Sequence, residues 1–270
     1  MTSALIIILQ EVVEAMLIIS LLMAATANIG INRRWIMAGI LLGTVGAGFY
    51  AYFFDTITDA FDGVGQEITN AMTLFGICLC LALFNFYLIG KLRPDSRLMP
   101  AWIGIAALCG SIGLAITREG AEIYIYFSGY LLSPEPLQPI LIGGALGTGI
   151  GLSFGALIYY SASMLSRRRC LMVSSIVLVP VSAGMVLQGV TYLMQADKLP
   201  SQLPLWDSSF LIPESSVIGQ LLFALFSYEA TPTPLHVGLY LTTVLLILLG
   251  MLLSARLHPT DKRGPATHAV

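Results

Sequence analysis

The stretch AWIGIAALCGSIGLAITREGAEIYIYFSGYL, residues 101–131, decides how the rest of the chain is read. An α-helix rises 1.5 Å per residue, so about 20 apolar residues cross a hydrocarbon core of roughly 30 Å. This run is long enough to do so, and it carries Arg118, Glu119 and Glu122 inside it. Working outward, apolar runs recur at 3–28, 35–54, 70–90, 139–165, 171–194 and 235–255, separated by short polar breaks. The expected fold is an all-α polytopic membrane protein with seven transmembrane helices in one domain, 1–270. Composition agrees: 57% of the 270 residues are hydrophobic and 10% are charged, whereas soluble domains carry about 25% charged residues. The mean hydropathy is +0.85. A formal net charge of −2 leaves no basic patch for nucleic acid. Partners are to be sought in the membrane lipid and beside it.

The first run contains Ala25-Thr26-Ala27, which looks like a signal-peptidase site. No Lys or Arg precedes the run, however, and it holds two glutamates that a signal sequence does not tolerate, so it is read as a retained helix. Basic residues in short loops stay cytoplasmic. Eleven of the 13 fall on one side of the seven spans: Arg33, Arg34, Lys91, Arg93, Arg97, Arg167, Arg168, Arg169, Arg256, Lys262 and Arg263. The N-terminus is therefore expected outside and the C-terminus inside, with 256–270 as a cytoplasmic tail. Residues 217–226 are apolar but too few to span, which suits a short re-entrant or interfacial helix in an outer loop at 195–230. Asp55, Asp59, Asp62, Glu67, Glu135, Asp197, Asp207, Glu214 and Glu229 all fall on the outer side, against Asp95 and Asp261 inside. Such an anionic rim concentrates cations. Cys78, Cys80, Cys109 and Cys170 sit in apolar runs or at a basic boundary, which disfavours disulfides. Short loops and the absence of an Asn-x-Ser/Thr acceptor favour a bacterial cytoplasmic (inner) membrane.

The fifth span carries Gly143, Gly147, Gly151 and Gly155 at intervals of four, a face that another backbone can approach closely. Gly39, Gly43 and Ala47 make a weaker version in the second span. Each glycine-faced span follows one that holds glutamates. Spans 1–3 and 4–6 thus read as two copies of a three-helix unit, opposite in topology because the unit is odd, with the seventh span outside the repeat. Inverted repeats are a common transporter plan, with the substrate site between the halves.

Five ionisable residues lie within spans: Glu11, Glu14, Arg118, Glu119 and Glu122. Each such charge costs about 2.5–3.5 kcal/mol on insertion scales, which makes five together comparable to the 5–15 kcal/mol that holds a typical domain folded. They must be paired, protonated, hydrated or bound to a cation. Glu11 and Glu14 are i and i+3, as are Glu119 and Glu122, so each pair shares a helix face. At about 6 Å and an effective dielectric near 20, two like charges repel by about 3 kcal/mol. An empty site is expected to hold at least one proton per pair. A multivalent cation between the helices would relieve the repulsion, and all-oxygen ligands suit hard ions such as Fe³⁺, Mn²⁺, Mg²⁺ or Ca²⁺. Interhelical salt bridges alone do not close with four acids to one base.

Arg118-Glu119-Gly120-Ala121-Glu122 resembles the Arg-Glu-Gly-x-Glu signature of the oxidase-dependent iron permeases, the family of the fungal high-affinity permease and bacterial EfeU. The first span offers a partner copy, Gln10-Glu11-Val12-Val13-Glu14, and Phe226-Ser227-Tyr228-Glu229-Ala230-Thr231-Pro232 is similar to the family's segment before its last helix. Gln10 replaces the family's Arg and Val12 its Gly. Near the outer start of the third span, where the family tends to place a glutamate, stand Glu67 and Asn70.

The resemblance implies an iron permease with Glu11, Glu14, Glu119 and Glu122 as the transport site and no tightly bound cofactor. Iron, as Fe³⁺ or Fe²⁺, is its substrate. Arg118 would pair with a glutamate until the ion arrives, while Asp55, Asp59, Asp62, Glu67, Asn70 and Glu229 would collect or relay it. The resemblance also implies a periplasmic partner that oxidises or delivers iron, either a copper-containing iron-binding protein or a peroxidase-like one. Tyr124, Tyr126, Phe127, Tyr130 and Trp206 would sit at the lipid headgroups or support docking. Two other readings stay open: a permease for another cation such as Mn²⁺ or Pb²⁺, and a non-transporting anchor subunit for a periplasmic metal or redox protein. An enzyme is not expected. The chain has no nucleophile and base pair, no haem-type Cys-x-x-Cys-His and no phosphate loop, and its three histidines, His236, His258 and His268, cluster at the C-terminal end.

Overall fold

Local chemistry sets several helix ends. Gly30 adopts the left-handed conformation at the C-cap of α1 (Thr2–Ile29), with φ of 72°, where a glycine carries no steric cost. Ser216 caps α8 (Val217–Phe226) by accepting from the Gly219 N–H at 3.0 Å. Pro234 opens α9 (Pro234–Arg256), the position where a missing N–H costs nothing. The computed structural model describes residues 1–91, 100–131 and 137–256. The tail beyond Arg256, with Lys262 and Arg263, lies outside the described residues, as do Arg93, Asp95, Arg97 and Glu135.

Between α1 and α8 run α2 (Arg34–Tyr52), α3 (Phe54–Gly63), α4 (Gly65–Lys91), α5 (Ala101–Leu131), α6 (Leu137–Ser163) and α7 (Arg167–Gln195). Seven of these helices are long and apolar enough to cross a membrane: α1, α2, α4, α5, α6, α7 and α9. The chain is an all-α, multi-pass membrane protein. Two boundaries that bear on the acidic residues differ from the sequence reading. The acidic segment after α2 is not simply a loop: it forms α3, broken at Phe61 and Asp62, whose φ values are 55° and 67°. The third span begins at Gly65 rather than 70, which puts Glu67 in the first turn of α4. Hydropathy detects only the apolar part of a helix, whereas an acid in the first turn is favoured by the helix dipole.

The largest fully buried side chains include Leu22 of α1, Leu74, Ile77, Leu81 and Phe84 of α4, Leu108 and Ile112 of α5, and Leu171 and Leu178 of α7. These four helices form the centre. α2, α6 and α9 turn large apolar side chains outward, among them Leu41, Leu146 and Leu245. A buried polar clamp, Ser175 Oγ donating to Asn85 Oδ1 at 2.8 Å, ties α7 to α4.

The most extensive helix contacts join α1 to α6 and α5 to α2. Each glycine-faced helix, α6 and α2, therefore packs on the glutamate-bearing helix that does not precede it in sequence, α1 and α5 respectively. A Cβ placed on Gly147 would lie 2.6 Å from the Leu5 carbonyl oxygen, and one on Gly151 would lie 2.6 Å from Val12 Cγ1. At the matching crossing, a Cβ on Gly120 would lie 2.9 Å from Ala47 Cβ. Each crossing thus pairs a glycine with a residue that has a side chain. Val12 occupies a motif position where the family resemblance leads one to expect Gly, and Gly151 provides its space. Gly151→Ala is accordingly expected to cost about 1–3 kcal/mol. Thermal unfolding in detergent checks this, and Val12→Ala in the same chain should recover most of the loss.

Candidate functional site

The interlock of α1 on α6 and α5 on α2 carries both glutamate pairs into the centre. Arg118 is buried there at 5% exposure. Its Nη1 donates to Glu14 Oε2 at 2.8 Å and to Glu119 Oε1 at 2.7 Å, and its Nη2 pairs with Glu122 Oε1 at 3.1 Å. A guanidinium suits this role because its planar fork of five donors serves several acceptors at once. Glu11, the fourth acid, is buried beside Glu119, within side-chain hydrogen-bonding reach. Two carboxylates so close are stable together only with a proton or cation between them.

Several polar atoms of this cluster are buried without a hydrogen-bond partner: Glu11 Oε2, Glu14 Oε1, Glu119 Oε2 and Arg118 Nε. Buried polar atoms are ordinarily satisfied, so three orphan carboxylate oxygens around one guanidinium mark a functional place. Among the described residues, no group of three or more His, Cys, Asp or Glu side chains is arranged to hold a metal ion. Arg118 stands among the carboxylates instead.

Tyr192 of α7 completes the cluster, its hydroxyl donating to Glu122 Oε1 at 2.9 Å. Sequence reasoning missed it, because a tyrosine in an apolar span carries no local signal of its partner. Tyr50 of α2 is also buried, with its hydroxyl unpartnered. Glu67 Oε2 is also buried and unpartnered, and Asn70, one turn further along α4, is buried.

A cavity of about 350 Å³ opens on the side that the basic residues assign to the outside. Gln10, Thr191, Glu214, Gln220, Phe223, Glu229 and Thr231 line it. Its charged lining is wholly acidic, and two of its lining residues, Gln10 and Thr191, are the chain neighbours of Glu11 and Tyr192. Glu214 Oε1 accepts from the Ala230 N–H at 2.6 Å. Glu229 Oε2 lies 2.6 Å from His236 Nδ1, and His236 Nε2 lies 3.4 Å from Thr191 Oγ1. His236, which the sequence left without a role, thus joins Glu229 to α7. Asp55, Asp59 and Asp62 are exposed on α3. In the outer loop, hydrogen bonds from Ser209 hold the exposed Asp207 carboxyl below the usual aspartate range.

Residues 101–260, more than half of the chain, match the Iron permease FTR1 family. The chain belongs to that family. It is a transporter of an iron permease family rather than an enzyme, and its substrate class is iron ions. The matched part of this permease contains Arg118, Glu119, Glu122, Tyr192, Glu229 and His236, while Glu11 and Glu14 lie before it. No curated protein and no solved structure matches the chain.

Proposed function

We propose that this permease imports iron across a bacterial cytoplasmic membrane through Glu11, Glu14, Glu119 and Glu122, with Arg118 as the gate. The observation that carries the reading is the buried Arg118 bonded to Glu14 of α1 and to Glu119 and Glu122 of α5. In that arrangement the guanidinium neutralises part of the carboxylate charge when no ion is present. A cation that enters through the acidic cavity competes with Arg118 for the same oxygens, and displacing Arg118 opens the way inward. The two halves act as inverted repeats with the site between them, which the exchanged packing of α1 on α6 and α5 on α2 supports. Glu229, Glu214 and Glu67 collect the ion on the outer side. A periplasmic iron-oxidising or iron-binding protein supplies it there.

The test is uptake of radiolabelled iron into vesicles that contain this chain alone, with Fe²⁺ and Fe³⁺ supplied separately and Mn²⁺ and Pb²⁺ as competitors. Saturable iron uptake that neither competitor abolishes at equal concentration is expected. Uptake that appears only after a periplasmic iron-binding protein is added would make the chain one part of a relay. Preferential transport of Mn²⁺ or Pb²⁺ would overturn the choice of ion.

A further inference from the structure

Tyr192 and Arg118 hold the same oxygen of Glu122, the phenol at 2.9 Å and Nη2 at 3.1 Å. A carboxylate oxygen offers about two lone-pair sites. The phenol's hydrogen bond and the guanidinium's ion pair thus converge on Oε1, and neither engages Oε2, the other carboxylate oxygen of Glu122. Glu122 is also the most accessible of the Arg118-bound acids, with its side chain 22% exposed against 1% for Glu14.

The two donors differ in what an arriving cation does to them. Arg118 is positive and always protonated, so the ion's charge drives it away. The Tyr192 phenol is neutral and feels no such repulsion, so it keeps its bond to Oε1. We infer that Tyr192 is a positioning residue for the transported cation: it anchors Glu122 through Oε1, so that Oε2 is presented as a one-oxygen ligand when Arg118 withdraws. This rests on the reading of the four glutamates as the transport site. Groups that orient metal ligands typically change affinity or activity about 10–100-fold when removed. Tyr50 supplies the contrast, because its buried hydroxyl has no partner and orients nothing in this arrangement.

Tyr192→Phe keeps the ring and removes only the donor. In vesicles, the KM for iron is expected to rise about tenfold, with Vmax within about a factor of two. A role in packing alone would lower the amount of protein in the membrane or Vmax and leave KM where it was, which would overturn the inference. Difference infrared spectra of the purified permease, with and without Fe²⁺ under anaerobic conditions, give a second readout. A carboxylate band that disappears in Glu122→Gln should be shifted in Tyr192→Phe, and an unshifted band would overturn the inference. A phenolate-to-iron(III) absorption band lost in Tyr192→Phe would make the tyrosine a ligand and likewise overturn the positioning role. If wild type takes up iron and Glu119→Gln does not, the transport reading stands and Tyr192→Phe alone decides. If wild type neither binds nor carries iron, both fail.

Discussion

Replacing Glu119 by Gln is expected to abolish iron uptake while the protein still reaches the membrane. The substitution keeps the side chain's volume and one oxygen acceptor but removes the charge. It therefore acts on what a cation requires and hardly on packing. Glu119 stands at the centre of the cluster, bonded to Arg118 at 2.7 Å, beside Glu11, and with Oε2 buried and unpartnered. Losing a group that merely orients a metal ligand costs about 10–100-fold, so losing a ligand should reduce uptake at subsaturating iron by at least about 100-fold. Glu122→Gln is expected to act in the same direction. Radiolabelled iron uptake, normalised to the amount of protein in the membrane, checks both. Normal uptake in the two variants would remove the glutamates from the transport site.

Arg118→Leu is expected to be the most destabilising single change in the cluster. The guanidinium is the shared partner of Glu14, Glu119 and Glu122. Breaking a buried ion pair by deleting one member typically costs about 3–5 kcal/mol, because the other charge is left without compensation. Thermal unfolding in detergent should show that loss. Arg118→Lys should fall between, since a compact ammonium keeps the charge but lacks the planar fork that reaches the acids from two separate nitrogens. A bound cation should restore stability in Arg118→Leu more than in wild type, because it supplies the missing positive charge. At a hundred times the dissociation constant, binding adds about 2.7 kcal/mol. Unchanged unfolding in Arg118→Leu would mean that the ion pairs contribute nothing to holding α1 and α5 together.

The two predictions differ in how far the sequence alone supports them. Glu-x-x-Glu on one face of a span is a local pattern, and so are helix-long apolar runs and glycines at intervals of four. The seven spans, the two acidic faces and the glycine stripes could be read directly for that reason. The reading weakened where polarity and helicity part company. α3 and the first turn of α4 are helical without being apolar, so the hydropathy pattern passed over them and left Glu67 in a loop.

The choice of partners belonged to the tertiary structure. Arg118 meets Glu14 across 104 residues of chain, and Tyr192 meets Glu122 across 70. Nothing near either residue in sequence announces the contact. Which side chains meet in the buried centre depends on which backbones approach closely, and that is decided where Val12 lies over Gly151 and Ala47 over Gly120. By itself the sequence determined seven runs long and apolar enough to cross a membrane, with four acids and one base within them. Only the packed bundle decided that the base lies among three of those acids, that a tyrosine of α7 holds one of them, and that His236 holds Glu229. The physical reason is that apolar length and residue spacing act locally, whereas the partner of a buried charge is set by the packing of helices distant in the chain.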